Sequence, residues 1–316
     1  MRPRFVIASR GSKLALTQSE LVAAFVRAAH PGIEMTVRAV TTRGDRDRRP
    51  FTEIAGKNLF TSEVEREVVE KRADIAVHSA KDLTAQLNPD CVIVCVPRRA
   101  ARHDVVVGGT GTSAEERLGR LPEGAPVGTS SIRRRALLAE ARPDLEAVEF
   151  RGNLDTRLRK LGAGDAAAAL LAAAGIERLG ITDEVDPAPL DPTWWVPAPA
   201  QGALAIEARR DRADLAELFA PLEDERARAE VECERAFGLR LEGGCALPLG
   251  CCAHSDDRAL VVTGYVGRPD GSQAIRDRVS GPFSDASALG RELADAILLG
   301  GGDDILEDVR GEAAER

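Results

Sequence analysis

The sequence predicts an α/β protein with a small α+β domain at its C-terminal end. Over the first two thirds of the chain, short runs rich in branched apolar residues alternate with segments of helical spacing, a pattern typical of α/β lobes. From Leu222 the pattern changes to a charged helix, two strand-like runs and a final helix. Because 316 residues exceed what one hydrophobic core usually holds, we expect two or three domains.

The first lobe is predicted to begin with a strand at residues 5–9 and a helix at residues 14–28, where apolar residues recur at helical spacing. The next predicted elements of this lobe are a strand at 33–41, a helix at 61–71, and strands at 74–78 and 91–95. A charged break at 43–50 separates the first of these strands from the helix.

The alternation repeats in the second lobe, which starts near Val105. Strands are predicted at 126–128 and 145–150, and helices at 131–141 and 153–161. Residues 166–174 are so rich in alanine that propensity predicts a helix. The alternation predicts a strand there, and we follow the alternation. Such a pattern indicates parallel sheets with crossover helices.

The remaining segments are a connection and the last domain. Residues 186–199 contain several prolines and both tryptophans, so we interpret them as a linker or crossing segment. The α+β domain is predicted to contain a helix at 222–239, strands at 259–267 and 273–280, and a helix at 285–299.

Composition excludes several functional classes. The formal net charge is −8, which disfavours binding to nucleic acid or to anionic membranes. No apolar run approaches the length of a membrane span, and residues 4–9 are strand-like rather than part of a secretion leader. We therefore expect a cytoplasmic protein.

The six cysteines do not predict disulfides, because a long chain without a leader is expected in a reducing compartment. Cys91 and Cys95 lie in an apolar run and are interpreted as buried strand residues. Cys251 and Cys252 are adjacent, with only His254 nearby, which does not match zinc spacing. Cys245 differs because glycines and a proline place it on a turn, where a thiol is accessible.

A buried strand ends at a charged pair. Residues 74–78 run directly into Lys81 and Asp82, and open α/β sheets bind their ligands at the carboxyl ends of their strands. Taken alone, this pair is equally well explained as an exposed ion pair of little energetic weight.

Three strand-to-helix junctions share one design. Ser12, Ser131 and Asn153 each stand at the N-cap position of a predicted helix. Arginines accompany every junction, although a helix N-terminus already carries partial positive charge. A lone arginine of this kind is usually a solvated charge, but three such junctions indicate sites for carboxylate or phosphate groups.

Together, the junctions predict a ligand with several negative groups. Because strands of a parallel sheet point the same way, we expect Arg10 and Lys81-Asp82 at one edge of the first lobe and the other arginines at one edge of the second, the two edges facing across a cleft. No nucleotide-binding GxxxxGK[ST] or GxGxxG motif occurs, so a polycarboxylate is favoured over a nucleotide. His30, His103 and His254 have no partners recognisable from the sequence, and His78 is interpreted as a packed strand residue.

At this point the sequence resembles a known family. The order of motifs is that of porphobilinogen deaminase, also called hydroxymethylbilane synthase, and it extends over nearly the whole chain. The matching stretches are Arg10-Gly-Ser12, Thr42-Arg-Gly-Asp45, His78-Ser-Ala-Lys-Asp-Leu83, Gly128-Thr-Ser-Ser-Ile-Arg-Arg134, Arg151-Gly-Asn153 with Thr156-Arg157, Ala174-Gly-Ile-Glu-Arg178-Leu-Gly180, Gln201-Gly-Ala203 and Glu242-Gly-Gly-Cys245.

The resemblance implies two α/β lobes like those of periplasmic binding proteins, plus a small α+β C-terminal domain. The implied boundaries are residues 1–101 with 201–221, 102–200, and 222–316. It further implies a dipyrromethane cofactor attached by a thioether to Cys245. The implied reaction adds four porphobilinogen units to this primer, each with loss of ammonia through azafulvene and cationic pyrrole species, before water releases a linear tetrapyrrole.

The resemblance also implies residue roles. Asp82 is expected to be catalytic, because a carboxylate near the pyrrole nitrogens can stabilise positive charge and move protons. Asp82 is also expected to bind the cofactor, and the other expected cofactor-binding residues are Cys245, Lys81, Thr129, Ser130, Ser131, Arg133, Arg134, Arg151 and Gly152. The expected porphobilinogen-binding residues are Arg10, Ser12, Lys57, Phe60, Ser79, Arg157, Arg178 and Gln201. We expect no metal and a monomer.

The chain departs from the family pattern at five positions: Asn58, Ala166, Ala167, Thr84 and Ala200. None of them removes a charged residue with an expected role, but they leave two alternatives open. One is a divergent paralogue that makes a shorter or modified oligopyrrole. The other is a non-enzymatic, two-lobed anion-binding protein, since fold alone does not determine function.

Overall fold

A computed structural model describes residues 3–46, 61–84, 86–212, 214–242, 247–256 and 258–314. These residues form two compact units. The first contains residues 3–46, 61–100 and 202–228, and the second contains 101–201 and 229–314. Over the described ranges, none of the helices combines the length and apolar character needed to span a membrane.

The secondary structure follows the predicted alternation. The strands are β1 (Arg4–Arg10), β2 (Glu34–Val40), β3 (Ile75–Ser79), β4 (Cys91–Cys95), β5 (Asp104–Gly108), β6 (Pro126–Gly128), β7 (Glu146–Val148), β8 (Ala168–Ala172), β9 (Ala188–Pro189), β10 (Leu204–Arg209), β11 (Leu249–Ser255), β12 (Leu260–Gly267) and β13 (Ala274–Gly281). The helices are α1 (Lys13–Ala29), α2 (Arg43–Arg46), α3 (Ser62–Val69), α4 (Ala114–Gly119), α5 (Ile132–Ala141), α6 (Leu154–Gly162), α7 (Ala173–Leu179), α8 (Thr182–Val185), α9 (Asp214–Phe219), α10 (Glu225–Arg240), α11 (Ala286–Ile297) and α12 (Asp303–Ala314).

The first unit is built on one five-stranded sheet with the order β2-β1-β3-β10-β4. Strand β1 is parallel to β2 and β3, whereas β10 is antiparallel to both β3 and β4. Its core contains Ile7, Ile75 and Ile206 from neighbouring strands, packed with Val22 and Val26 of α1. The helical period of α1 therefore buries one face against the sheet.

The second unit contains two sheets. The first has the order β7-β6-β8-β5-β9, in which β6 is parallel to β7 and β8, and β5 is antiparallel to β8 and β9. The second is the antiparallel meander β11-β12-β13, whose core includes Phe237 of α10 and Leu293 of α11. Trp195 and Tyr265 are fully buried in a core shared with β6 and α5. The predicted α/β class with a small α+β C-terminal part is confirmed.

The prediction of parallel sheets with crossover helices is wrong in part, because both five-stranded sheets contain parallel and antiparallel pairs. The antiparallel strands β10 and β5 are the first strands after the chain passes from one compact unit to the other. Neither is reached through a crossover helix from a strand of the same sheet, so the geometry that makes βαβ units parallel does not apply to them.

Two further predictions have different outcomes. The alanine-rich segment is a strand, as the alternation predicted, because Ala168 and Ala169 are completely buried between β5 and β6. The interpretation of 186–199 as a linker is wrong in part. Pro189 pairs with Val105 in the sheet, and Trp195 is anchored in the core. The three predicted domain boundaries stay a prediction.

The close contact between α10 and α11 in the second unit can be tested by its effect on stability. A Cβ on Gly290 of α11 would overlap the carbonyl oxygen of Cys233 in α10, and that backbone atom cannot rotate away. We expect Gly290→Ala to lower the free energy of unfolding by about 1–3 kcal/mol. The matched control is Gly311→Ala in α12, where nothing lies near the added methyl group and a gain of about 0.5–1 kcal/mol is expected. Urea unfolding of both variants measures the difference, and equal stability would contradict the packing described.

Candidate active site

In the first unit, Arg10 and Asp82 meet at one edge of the sheet. Arg10 is the last residue of β1, and Asp82 lies in a 3-10 turn directly after the neighbouring strand β3. Arg10 Nη1 lies 3.6 Å from Asp82 Oδ2, with 22% and 29% of the two side chains exposed. The prediction that these residues share an edge is confirmed. The Asp82 carboxylate is therefore partly exposed to solvent and lies beside the guanidinium of Arg10.

Polar side chains form hydrogen bonds next to this edge of the sheet. Ser12 is the N-cap of α1 and accepts a hydrogen bond from the Ala15 amide at 3.3 Å. Gln18, which is buried on α1, donates from Nε2 to Ser79 Oγ at 3.1 Å. Ser79 is thereby fixed three residues before Asp82, and Lys81 is partly exposed in the same turn.

In the second unit, the predicted N-caps also form. Ser131 Oγ accepts from the Arg134 amide at 3.4 Å, and Asn153 Oδ1 accepts from the Thr156 amide at 3.2 Å. All three N-cap predictions are therefore confirmed. Gly152 has φ +115°, and a Cβ there would press on the Thr156 side chain. The junction after β7 therefore requires glycine at this position.

The first two arginines of α5 converge on a carboxylate that the sequence did not single out. Arg133 Nη1 donates to Asp104 Oδ2 at 2.8 Å, and Arg134 Nη2 donates to Oδ1 at 2.7 Å. Trp195 Nε1 donates to Oδ2 at 3.0 Å, and Gln201 Nε2 donates to Oδ1 at 2.7 Å. Asp104 is fully buried at the start of β5, so four donors surround one carboxylate.

This network determines the charges at the junction. Burial by itself raises the pKa of the Asp104 carboxyl, but Arg133 and Arg134 outweigh burial and hold that pKa well below its usual range. Burial lowers the pKa of Arg133, and the charge of Asp104 opposes this effect. With both guanidiniums and the carboxylate ionised, the cluster carries one net positive charge where the arginines are only 4% and 5% exposed.

Several donors near this charge are unsatisfied. No described residue pairs with the Ser130 hydroxyl, Arg133 Nε or Arg134 Nε, and all three are buried. Buried polar groups without partners are costly. A carboxylate ligand would supply acceptors and a compensating charge, so these residues fit an anionic, carboxylate-bearing group such as dipyrromethane.

Four other predicted residues of the second unit, Thr129, Arg151, Arg157 and Arg178, follow the parallel strands β6, β7 and β8. The Thr129 amide donates to the Val148 carbonyl at 2.9 Å, Arg151 follows β7 and is partly buried, and Arg157 Nε donates to the Gly152 carbonyl at 2.9 Å. Burial lowers the pKa of Arg178, after β8, to about 10. Gln201 is completely buried with Asp104.

Three predicted residues, Lys57, Phe60 and Cys245, lie outside the described residues, as does Asn58. The interpretation of His78 as a packed strand residue is confirmed, since it is buried with Nε2 3.1 Å from Glu207 Oε2. Among the departures from the family pattern, Ala200 has φ +60°. This left-handed conformation, which favours glycine, costs an alanine roughly 1 kcal/mol.

Sequence reasoning missed Asp104 and Trp195. The available signal was an aspartate that opens the apolar run Val105-Val-Val107 directly after a segment with three arginines, Arg98, Arg99 and Arg102. A carboxylate entering a buried strand must find cationic or hydrogen-bonding partners. Nothing in the sequence showed that those partners come from α5.

The five described cysteines, Cys91, Cys95, Cys233, Cys251 and Cys252, are all buried thiols outside any disulfide. Burial raises the pKa of Cys91 and of Cys233 to about 12, and raises that of Cys95 further. A thiol reacts as its thiolate, so these three are poor nucleophiles in the folded protein.

Comparisons with known proteins identify the family to which this chain is similar. The family model described as porphobilinogen deaminase, dipyromethane cofactor binding domain, matches residues 5–217, and the porphobilinogen deaminase C-terminal domain model matches residues 228–299. The chain is 43% identical over 307 residues to the porphobilinogen deaminase of Roseiflexus sp. (strain RS-1), covering 97% of this chain and 99% of that protein. It is also 43% identical over 301 residues to the porphobilinogen deaminase of Stenotrophomonas maltophilia (strain K279a), covering 95% and 98%.

Similarity to solved structures is weaker. The methionine binding protein MetQ is 12% identical, with a TM-score of 0.42, and the match covers 73% of this chain and 93% of that chain. A similarity of this size indicates nothing about function. The sequence similarities, in contrast, extend over nearly the whole chain and define a transferase of porphyrin biosynthesis. The chain belongs to the porphobilinogen deaminase family.

The buried thiols generate a test of reactivity. At pH 8, a thiol with a pKa of about 12 is ionised in only about one molecule in ten thousand. We expect iodoacetamide at pH 8 to leave Cys91, Cys95 and Cys233 unmodified in the native protein and to label them after denaturation in urea. Peptide mass spectrometry locates the labels. Rapid labelling of these residues without denaturant would contradict the burial described.

Proposed function

We propose that this protein polymerises four porphobilinogen units onto a dipyrromethane primer held by a thioether at Cys245, and releases hydroxymethylbilane. The observation that carries the proposal is the family similarity over nearly the whole chain, which includes the cofactor-binding domain. The matched basic and acidic residues supply the chemistry that a polycarboxylate substrate requires.

In each addition, the terminal pyrrole of the growing chain replaces the amino group of one porphobilinogen. The aminomethyl carbon of porphobilinogen loses ammonia and forms a carbon–carbon bond to the free α-carbon of the terminal pyrrole, which then loses its proton. Positive charge develops on the pyrrole nitrogens during this exchange. A fixed carboxylate close to them lowers the energy of that charge.

We assign this role to Asp82. Its carboxylate is partly exposed at the end of β3, where a bound molecule can reach it, and Arg10 lies beside it. Lys81 in the same turn, together with Arg10, Ser12 and Ser79, supplies cations and hydroxyls for carboxylate arms on the first unit. Lys57 and Phe60 are assigned to porphobilinogen binding from the family motifs alone.

In the second unit we assign cofactor binding to the junctions after β6 and β7. The unsatisfied buried donors of Ser130, Arg133 and Arg134 support this assignment most directly. Thr129, Ser131, Arg151 and Gly152 complete the proposed cofactor contacts. Arg157, Arg178 and Gln201 are assigned to the substrate or growing chain. That both units act on one ligand stays a prediction.

The choice of Cys245 rests on the family motif and on the other thiols. All five described cysteines are buried, and the pKa of three of them is raised by burial, so they are unsuited to attack an electron-poor pyrrole. We further propose a cytoplasmic monomer that binds neither nucleic acid nor membranes, which the net charge of −8 supports.

Intact-protein mass spectrometry tests the proposal first. The freshly purified protein is expected to carry the mass of dipyrromethane, and Cys245→Ser to have the mass of the bare chain. Cys91→Ala, at a buried cysteine, is the matched control and should keep the added mass. A bare wild-type chain would indicate the non-enzymatic anion-binding protein. A shorter or modified oligopyrrole as the product from porphobilinogen would indicate the divergent paralogue.

The catalytic assignment has its own test. Asp82→Asn removes the charge and keeps the shape, so we expect kcat to fall by about 10²- to 10⁴-fold, the usual contribution of a positioned acid or base. Asp90→Asn changes an exposed aspartate of the same unit and should leave kcat unchanged. Steady-state rates of ammonia release at saturating porphobilinogen measure both. Full turnover by Asp82→Asn would remove Asp82 from the mechanism.

A further inference from the structure

Asp104 contacts Arg133 and Arg134, two of the proposed cofactor-binding residues of the second unit. It has no role in the function described so far. It opens β5, is completely buried, and faces the first turn of α5. Each of its oxygens accepts two hydrogen bonds, from Arg133 and Trp195 at Oδ2 and from Arg134 and Gln201 at Oδ1. A carboxylate has about four acceptor positions, so Asp104 is saturated by the protein itself.

The two guanidiniums are fixed by this arrangement. Besides the bond to Asp104, Arg133 Nη1 donates to the Val196 carbonyl at 2.9 Å, and Arg134 Nη1 donates to the Leu170 carbonyl at 2.9 Å. Two anchor points in a plane determine the orientation of a guanidinium. Each arginine nevertheless retains a buried Nε without a partner.

Stability alone does not account for such a cluster. A buried ion pair is weak evidence for stability, because desolvation offsets its Coulombic attraction. Here one carboxylate faces two guanidiniums, so a positive charge remains uncompensated at the junction where Ser130 also has an unsatisfied hydroxyl. An anion bound at this junction would compensate that charge.

We propose that Asp104 is a positioning residue for the cofactor. It holds Arg133 and Arg134 in the orientation that receives one carboxylate arm of the dipyrromethane, and it leaves the pair with a single positive charge to match that arm. This inference rests on the proposed function. It predicts that the energetic effect of Asp104 depends on whether the cofactor is present, whereas a purely structural ion pair would contribute equally in both states.

A thermodynamic cycle tests this dependence. Asp104→Asn, which keeps the shape and removes the charge, is made in the loaded wild-type background and in the unloaded Cys245→Ser background. We expect the thermal midpoint to fall by several degrees more in the loaded background, because only there is the carboxylate arm lost as a partner. We also expect kcat/KM for porphobilinogen to fall by about 10- to 100-fold, as when the support of a ligand-binding group is removed.

The matched control is Asp144→Asn in the same unit. Asp144 accepts two hydrogen bonds from one arginine, Arg142, at 2.7 and 2.6 Å, but this pair is partly exposed and Asp144 lies just before β7, whereas the proposed contacts lie at the junctions that follow β6 and β7. Its midpoint change should be the same in both backgrounds. Equal changes for Asp104→Asn in the two backgrounds, with full cofactor loading, would overturn the inference and leave the proposed function intact.

The remaining outcomes are also decisive. If Asp104→Asn is folded by near-ultraviolet circular dichroism but has the mass of the bare chain, the inference is supported. Asp104→Glu, which restores the charge, should then regain part of the loading, and a Glu variant that loads no better than Asn would overturn it. If Asp104→Asn does not fold, the same cycle is run with Asp104→Glu. A bare wild-type chain would overturn both this inference and the proposed function.

Discussion

The buried contact of Asp104 with Arg133 and Arg134 is the constraint on which the second unit depends. It connects the start of β5 to the first turn of α5 and draws in the side chains of Trp195 and Gln201. Because burying charge is costly unless every group is paired, the position of one carboxylate determines where two arginines can lie. The cationic character of the neighbouring junction follows from that constraint.

The sheets place the remaining polar groups by a simpler rule. Parallel neighbours such as β1 and β3, or β6 and β7, end at the same edge, and a serine or asparagine caps the helix that follows β1, β6 and β7. Residues far apart in sequence thereby become neighbours without any side-chain preference of their own. Arg10 and Asp82 illustrate this, since their ion pair is a consequence of strand order.

Much of this organisation was readable from the sequence, and the exceptions have physical reasons. Local signals, including apolar period and N-caps such as Ser131, are determined by nearby residues and were predicted well. The antiparallel direction of β5 and β10 depends on the path of the chain between the compact units, which no local pattern records. Asp104 was missed for a related reason, because its partners lie 29 to 97 residues away in sequence.

The position of β10 in the sequence has a consequence for folding during translation. This strand lies between β3 and β4, yet it is supplied by residues Leu204–Arg209, more than a hundred residues after both. A nascent chain that ends before Leu204 leaves two apolar strands with open hydrogen-bonding edges, and such edges invite pairing with other chains. The ribosome must therefore complete about two thirds of the polypeptide before the N-terminal sheet can close, which makes truncated forms prone to aggregate.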